Sequence, residues 1–212
     1  MYTWVTDEWN PVKGKCYHDC SYCYMKRWGK QSPIHLCENE FKTDLGAGKF
    51  IFVVSGSDLF AENISEDWII KVLEYCFKFD NIYLFQSKNP FRIWQYGSYG
   101  FMPERSVICT TIETNRIYPD VMKNCPIPEE RAKAMRLIGL NKYITIEPIM
   151  DFDLNIMIEF IKMCNPQQVN IGADSGNNHL PEPSKEKLLT LIDELQKFTI
   201  IDQKRNLSRL LK

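Results

Sequence analysis

The chain has 212 residues, of which 44% are apolar and 13% aromatic, so it can build one domain with a sizeable core, and its composition excludes a disordered protein. Its formal net charge of −1 provides no general attraction to nucleic acid or to an anionic membrane and leaves only a local basic patch open. No apolar run approaches the roughly 20 residues of a membrane span and the first residues lack a signal-peptide pattern, so we expect a cytoplasmic protein with reduced thiols and no membrane contact.

Short β-branched and aromatic runs alternate with amphipathic stretches along the chain. Apolar runs of this length are typical of strands buried on both faces, as in a parallel sheet. The predicted strands are residues 2–6, 50–54, 82–85, 107–111, 143–146 and 168–171. The predicted helices are residues 66–79, 91–96, 128–138, 154–164 and 184–198, and Ser65 and Ser184 are placed to cap the first and the last.

This alternation predicts an α/β fold of about six βα units, an open relative of the eight-unit TIM barrel. No composition break or linker divides the chain, so we expect one domain over residues 1–212. Its barrel core would cover about residues 2–183, and a C-terminal helical segment would cover residues 184–212. The basic end of that segment, QKRNLSRLLK, is interpreted as a helix with a charged face, and contact with nucleic acid is the less favoured alternative.

Polar residues gather just beyond the carboxyl end of nearly every predicted strand. They are Ser55, Gly56, Ser57, Asp58, Gln86, Ser87, Lys88, Glu113, Asn115, Glu147, Asp174, Ser175 and Gly176. In (βα) barrels this rim is where sites are built, because loops converge there over a packed interior. For any single position, an ordinary polar turn is the alternative interpretation. A cysteine-rich stretch follows the first predicted strand and opens on the same rim, which favours a single site.

That stretch, KGKCYHDCSYCY at residues 13–24, contains three of the eight cysteines. Cys16, Cys20 and Cys23 have the spacing C-x3-C-x2-C. Iron–sulfur clusters are held by thiolates, ordinarily one per iron, so three thiolates would leave one iron of a 4Fe–4S cluster open to another ligand. An open coordination position distinguishes a reactive metal site from a closed structural one.

Two other interpretations of the three cysteines remain open. One is a zinc site with His18 or Cys37 as the fourth ligand, although structural zinc sites usually pair two such knuckles and this sequence has one. The other is three unrelated core thiols, which the polar neighbours of these cysteines disfavour.

The loop CYHDCSYC resembles the cluster-binding loop of the radical S-adenosylmethionine (radical SAM) superfamily, C-x3-C-x-aromatic-C, with Tyr22 as the aromatic residue. The resemblance implies a partial (βα)6 TIM-like barrel and a 4Fe–4S cluster on Cys16, Cys20 and Cys23. It further implies that S-adenosylmethionine (SAM) chelates the open iron and is cleaved reductively to a 5′-deoxyadenosyl radical, which abstracts hydrogen from a substrate. Tyr22 would pack against the cluster or the adenine.

Other segments match the superfamily's SAM-binding positions. VVSGSDLFAEN resembles the second-strand motif that binds the methionine amino group, although Ser-Gly-Ser-Asp replaces the usual Gly-Gly-Glu. TTIETN resembles the segment that contacts the ribose, and ITIEPIM and NIGADSGN lie where the methionyl and adenine groups would be supported. The cofactor-binding candidates are Tyr22, Ser55, Gly56, Ser57, Asp58, Thr111, Glu113, Glu147, Gly172 and Asp174, with solvated loop residues as the alternative.

A closer resemblance joins the chain to a branch of the superfamily that is common in phages and bacteria and has been likened to spore photoproduct lyase. Members of that branch carry TWNPV-G-C, S-SDLFH, EPLL and GGESG where this chain carries TDEWNPVKGKC, SGSDLFAE, IEPIMD and IGADSGN. The resemblance covers about residues 3–183 and does not supply a substrate.

The remaining candidates are weaker. Cys76, Cys109 and Cys164 lie on apolar patterns and are expected in the core. Cys37 and Cys125 lie in loops and are candidate catalytic thiols that would return a hydrogen atom. Lys88 and Arg92 could hold a carboxylate or phosphate, although a solvated helix start is the favoured interpretation for both.

Taken together, the sequence predicts a radical SAM enzyme whose low-potential electron comes from a flavodoxin- or ferredoxin-type donor. A nucleic-acid base or nucleotide-like molecule is the favoured substrate, and a partner protein or peptide is the alternative. Two rival interpretations stay open. One is a noncatalytic iron–sulfur protein for electron transfer or sensing, and the other is a zinc-stabilised interaction module.

Overall fold

The computed structural model describes residues 2–212. Nine strands are present: β1 Asp7–Trp9, β2 Val12–Lys13, β3 His35–Leu36, β4 Phe50–Val53, β5 Ile82–Gln86, β6 Ser106–Thr111, β7 Asn141–Ile146, β8 Gln168–Ile171 and β9 Ile200–Gln203. Seven of them form one sheet in the order β1-β4-β5-β6-β7-β8-β9, and every neighbouring pair in it is parallel. The short strands β2 and β3 form a separate antiparallel pair.

Helices connect the strands of the large sheet. They are α1 Glu66–Cys76, α2 Pro90–Ser98, α3 Pro119–Met122, α4 Pro128–Leu137, α5 Leu154–Cys164 and α6 Lys185–Gln196. The hydroxyls of Ser65 and Ser184 accept hydrogen bonds from the Trp68 and Lys187 amides, so the predicted caps begin α1 and α6. Three 3-10 helices lie at Tyr24–Trp28, Glu38–Lys42 and Arg205–Leu210.

The core lies mainly between the sheet and its helices. All six residues of β6 are buried, because neighbouring strands flank it and both of its faces are covered. A second, smaller cluster on the sheet contains Tyr2, Val5, Leu84, Val107 and Cys109. Because the sheet is parallel, the carboxyl ends of its strands and the loops that follow them share one side of the molecule, which is where the polar residues were predicted to gather.

The predicted α/β fold and partial barrel are confirmed, with strands β1 and β9 left as unjoined edges of a seven-stranded sheet. The first strand is shifted, because residues 2–6 are not a strand and pairing begins at Asp7. The Tyr2 and Trp4 rings stack on each other at 4.8 Å, and Trp4 packs edge-on against Tyr143 at 5.2 Å. The apolar pattern of residues 2–6 therefore reflects this packing and not a strand.

The C-terminal segment also differs from its prediction as a helical segment. It contains α6, the parallel strand β9 and a final 3-10 helix. Within residues 2–212, no helix has both the length and the apolar character needed to cross a membrane. All eight cysteines are free thiols.

Candidate functional site

A large open cavity of about 1590 Å³ lies at the carboxyl ends of the parallel strands. The cysteine loop forms one part of its wall, and the segments after β4, β5, β7 and β8, together with Thr111 at the end of β6, form much of the rest. Residues 202–206, at the end of β9 and beyond, also border it. Of the predicted site residues, the cavity is bordered by Cys16, Cys20, Tyr22, Cys23, Ser55, Gly56, Ser57, Asp58, Lys88, Thr111, Glu147, Asp174 and Ser175.

The three cysteines of the loop share this cavity but do not converge on one point. Cys20 is buried, whereas Cys16 and Cys23 are half-buried. Among residues 2–212, no group of three or more His, Cys, Asp or Glu side chains is already arranged to hold a metal ion. A cubane cluster presents a separate iron to each thiolate, so its ligands need not meet at a single metal.

Cys20 lies against a thiol from outside the loop. Its Sγ is 3.4 Å from the Sγ of Cys125, the residue that follows α3 by three positions. Hydrogen bonding from Cys125, together with the nearby Lys88 ammonium, lowers the pKa of Cys20 to about 5 despite its burial. Burial raises the pKa of Cys16 to about 12. Cys125 itself does not border the cavity.

His18, between two of the cysteines, anchors the loop to the sheet. Its Nε2 lies 2.8 Å from Asp58 Oδ2, and its Nδ1 lies 3.2 Å from the Asn124 carbonyl oxygen. Burial lowers the pKa of His18, but Asp58 outweighs that effect, so the net pKa is raised. With both ring nitrogens engaged, His18 is not placed to be the fourth zinc ligand, which weakens that alternative.

Asp58 is buried, and both of its carboxylate oxygens accept hydrogen bonds. Oδ2 also accepts hydrogen bonds from the Ser87 hydroxyl at 3.0 Å and the Lys88 amide at 2.9 Å, while Oδ1 accepts one from the Phe60 amide at 2.9 Å. This carboxylate, predicted to bind an amino group of the cofactor, therefore ties together the cysteine loop and the loops after β4 and β5.

Tyr22 provides a second anchor. Its hydroxyl donates a hydrogen bond to Glu113, whose other oxygen lies 2.8 Å from Arg131 Nη1. Both side chains of the Glu113–Arg131 ion pair are fully buried. Burial raises the pKa of Glu113, but Arg131, Lys88 and Tyr22 together hold it below its ordinary value. Glu113 is thus a buried structural anion and does not face the cavity.

Lys88 lies at the centre of these groups and is not the solvated helix start that the sequence favoured. Its ammonium is 3.7 Å from Glu113 Oε1, 3.5 Å from Thr111 Oγ1 and 5.2 Å from the centre of the Tyr22 ring. Its side chain is 16% exposed and borders the cavity. Lys88 is therefore a cation available to a ligand in the cavity. Arg92, by contrast, donates to the carbonyl oxygens of Ala61 and Ile64 and does not border the cavity.

The other two predicted carboxylates are also engaged within the protein. Glu147 accepts hydrogen bonds from Lys204 and from Asn206, the latter at 3.0 Å. Asp174 accepts hydrogen bonds from the Gly176 amide at 2.9 Å and from Asn178. A side-chain carbon at Gly172 would lie 2.7 Å from Glu147 Oε1, so this glycine is explained by close packing and does not border the cavity.

The segment after β4 is held by a residue that the sequence did not single out. Asn10 Oδ1 accepts hydrogen bonds from the Ser55 hydroxyl at 3.2 Å and the Gly56 amide at 3.3 Å. Ser55 also donates to Glu8 at 2.7 Å. A side chain at Gly56 would make only ordinary contact with Met25, so no steric need for glycine is evident there.

Within residues 2–212, three buried polar atoms without a hydrogen-bond partner belong to residues that border the cavity. They are Ser57 Oγ, Thr145 Oγ1 and Asn206 Oδ1. Because a buried polar atom left unpaired is costly, such atoms on a cavity wall indicate where a polar ligand would bind. Together with three thiols on the same wall, they fit a cubane cluster with a polar organic ligand beside it.

Ser57 is among the cofactor-binding candidates that the sequence suggested, whereas Thr145 and Asn206 are not. Thr145 lies inside β7, where its neighbours suggested a buried strand, and Asn206 lies in the C-terminal segment that was predicted to be a helix. Cys37 lies apart from the cavity, with its amide bonded to the Pro11 carbonyl oxygen. Cys76, Cys109 and Cys164 are fully buried, as predicted.

No protein-family model matches the sequence, and no protein with a curated description matches it. Solved structures do share its architecture. A variant of spore photoproduct lyase matches with a TM-score of 0.64 and 11% identity, covering 92% of this chain and 75% of that one.

Two structures of SuiB from Streptococcus suis also match at 11% identity. The complex with its precursor peptide SuiA has a TM-score of 0.60 and covers 96% of this chain, and the complex with SAM has a TM-score of 0.57 and covers 93%. This chain spans about half the length of SuiB, 50% and 49% in the two structures. What the chain shares with these proteins is the fold, a mostly parallel α/β partial barrel.

Proposed function

We propose that the protein is a radical SAM enzyme. The observation that carries the proposal is the C-x3-C-x2-C loop, whose three thiols border one large cavity at the carboxyl ends of a parallel sheet. Unpartnered polar atoms on the same wall support it, as does the shared fold, since one protein with that fold was solved with SAM.

In this proposal Cys16, Cys20 and Cys23 hold the cluster. When bound, a 4Fe–4S cluster with an open iron supplies the electron that cleaves SAM to a 5′-deoxyadenosyl radical. The protein's own contribution is binding, orientation and exclusion of water. The hydroxyls of Ser57 and Thr145 would hydrogen-bond to polar groups of SAM, Asn206 Oδ1 would accept a hydrogen bond from it, and Lys88 would place a positive charge near its carboxylate.

The proposal includes three further parts. A flavodoxin- or ferredoxin-type protein supplies the electron, the location is cytoplasmic, where thiols stay reduced, and the chain works as one domain. The favoured substrate is a nucleic-acid base or a nucleotide-like molecule, by analogy with spore photoproduct lyase, which shares the fold. A peptide is the alternative, since SuiB was solved with its precursor peptide.

The proposal is tested on protein purified and reconstituted without oxygen. Wild type should bind about one cubane cluster, with iron and acid-labile sulfide in equal amounts, and should convert SAM to 5′-deoxyadenosine when reduced. Cys23→Ala should lose both properties. Cys37→Ala is the matched control, because Cys37 is half-buried like Cys23 but lies away from the cavity, and it should keep the iron content. Zinc without sulfide, or a full cluster with no SAM product, would count against the proposal.

The Cys20–Cys125 contact favours a second candidate function. If Cys125 were a fourth thiolate, the cluster would be closed by protein ligands and would serve electron transfer or sensing. Cys125→Ala distinguishes the two functions. An open cluster should keep its iron and its spectral response to added SAM in this variant, whereas a cluster held by four thiolates should lose iron and show no response even in wild type.

A further inference from the structure

The segment at the mouth of the cavity exposes large aromatic rings. This mouth segment, residues 24–30, follows the last cysteine of the loop, and most of it borders the cavity. Trp28 is 77% exposed and Tyr24 is 49% exposed. Tryptophan is highly buried on average, and exposed aromatic rings beside a cavity are typical of binding surfaces.

Positive charge surrounds these rings. Lys26 shares the carboxylate of Asp19 with Lys15 and Lys123, at distances of 3.0, 3.9 and 3.1 Å, so three ammonium groups face one anion. Within residues 2–212, Arg27 and Lys30 have no acidic side chain in ion-pair contact. The mouth segment therefore carries local positive charge although the whole chain has a net charge of −1.

The segment also reaches across the mouth. Arg27 Nη2 donates a hydrogen bond to Ser175 Oγ at 3.2 Å, which joins it to the loop after β8. The exposed Arg205 also borders the cavity, as does Lys204, whose charge Glu147 already pairs. Exposed rings and cations thus lie together along one edge of the open cavity.

We propose that the mouth segment binds single-stranded nucleic acid, with Trp28 stacking on a base and Arg27 and Lys30 contacting the phosphates. Proteins that bind single strands combine a cationic path with aromatic rings on which bases stack, because every base has a flat π-face. The inference deepens the proposed function and rests on it, since it gives the substrate class of the same cavity. A duplex hides its base faces, so it offers Trp28 little to stack on.

The test measures binding directly, using fluorescence anisotropy of a short labelled oligothymidylate with the anaerobically reconstituted full chain. Trp28→Ala should weaken binding roughly five- to hundredfold, the usual cost of losing one base stack, and Trp28→Phe should restore most of it. Tyr99→Ala is the matched control, because Tyr99 is equally exposed at 77% but does not border the cavity. It should leave binding unchanged.

The charge component is tested by salt titration. Lys30→Gln should reduce the slope of log K against log salt by about 0.7, the value for one phosphate contact on a single strand. Lys162→Gln, an exposed lysine near the C-terminal end of α5, should not change the slope.

Four results would overturn the inference: no binding by wild type, equal binding of the annealed duplex, equal competition by an oligoglutamate of the same charge, or equal losses in Trp28→Ala and Tyr99→Ala. Preferential binding of a peptide would assign the mouth to the peptide class instead. Because binding requires no turnover, the two proposals fail separately. If the protein cleaves SAM but does not bind the oligonucleotide, only this inference is refuted. If it binds the oligonucleotide but does not cleave SAM, only the proposed function is refuted.

Discussion

Two carboxylates of the site, Asp58 and Glu113, are buried and have become structural anions. Burying a charge is costly unless a partner and hydrogen bonds compensate it. His18 and two other donors share Asp58 Oδ2, and Arg131, Tyr22 and Lys88 surround Glu113. Each carboxylate thereby ties the cysteine loop to the ends of the neighbouring strands.

Removing the charge of Glu113 should therefore destabilise the protein. We expect Glu113→Gln to lower the free energy of unfolding by about 3–5 kcal/mol at neutral pH, because Arg131 is left buried without a counter-charge. Glu129→Gln, which breaks an exposed pair with Lys133, should cost at most about 0.5 kcal/mol. Urea unfolding of the three proteins measures both differences.

The difference in the free energy of unfolding between wild type and Glu113→Gln should depend on pH. The folded protein holds the pKa of Glu113 below its ordinary value of 4.5, so the contribution of the ion pair is complete above that pH. This contribution to the free energy of unfolding should fade as the pH falls through the lowered pKa that Glu113 has in the folded protein. At that pH the wild-type Glu113 gains a proton and becomes neutral, as glutamine is. A difference that stays constant or grows in acid would contradict this assignment.

The sequence could single out Cys16, Cys20, Cys23 and Ser57 because their spacing and motifs are local, and the structure places all four on the wall of one cavity. The sequence could not predict the partners of the carboxylates. His18 and Asp58 are separated by 40 residues, and Tyr22 and Glu113 by 91, so only the fold brings them together. The sequence consequently assigned these carboxylates to the cofactor, whereas in the structure protein donors already engage them.

Among the elements, the strands that are buried could be predicted from the sequence, whereas an exposed edge strand could not. Strand β6 is buried throughout and was predicted within one residue, since its apolar run has no competing interpretation. Strand β9 has no fully buried residue and pairs only with β8. Its sequence, IIDQ, lacks a continuous apolar run and lies between polar stretches. The sequence therefore predicted no strand there and included these residues in a helical segment.

The difference in burial between the central strand β6 and the edge strands should also determine how readily each strand opens locally. We expect amides of β6 to exchange with solvent at least about tenfold more slowly than amides of β1 and β9, because edge strands open without disrupting the core. Hydrogen exchange followed by mass spectrometry on peptides from each strand measures this order. Protection of β9 equal to that of β6 would show that something covers this edge, such as a second chain.

For the molecule as a whole, the cysteine loop is fixed by contacts that do not use the thiols of Cys16, Cys20 and Cys23. His18 and Tyr22 anchor it to the sheet, and the Ser21 amide and Tyr17 carbonyl oxygen are bonded to Val121 and Asn124, each at 2.9 Å. Small metal domains whose metal drives folding lack such independent support. The contacts of this loop involve no metal, so we expect the barrel and the loop to form without one.

Removing the proposed cluster should accordingly leave the fold intact. We expect chelation to bleach the absorption of the proposed cluster while the far-UV circular dichroism and the urea midpoint change little. In His18→Leu, which lacks the anchor to Asp58, the chelated protein should be cleaved by protease within the cysteine loop much faster than chelated wild type. Unfolding of wild type on chelation would show that the metal, and not these hydrogen bonds, organises the loop.

The closeness of Cys20 and Cys125 has a practical consequence for handling the protein. Their sulfurs are 3.4 Å apart, and a small movement would bring them to the roughly 2.05 Å of a covalent bond. In air, two such thiols can give up two electrons and two protons to dioxygen, forming a disulfide and hydrogen peroxide. In the protein without its proposed cluster, the disulfide would then occupy Cys20, one of the three candidate ligands. A mild thiol reductant would restore the thiol before iron and sulfide are added.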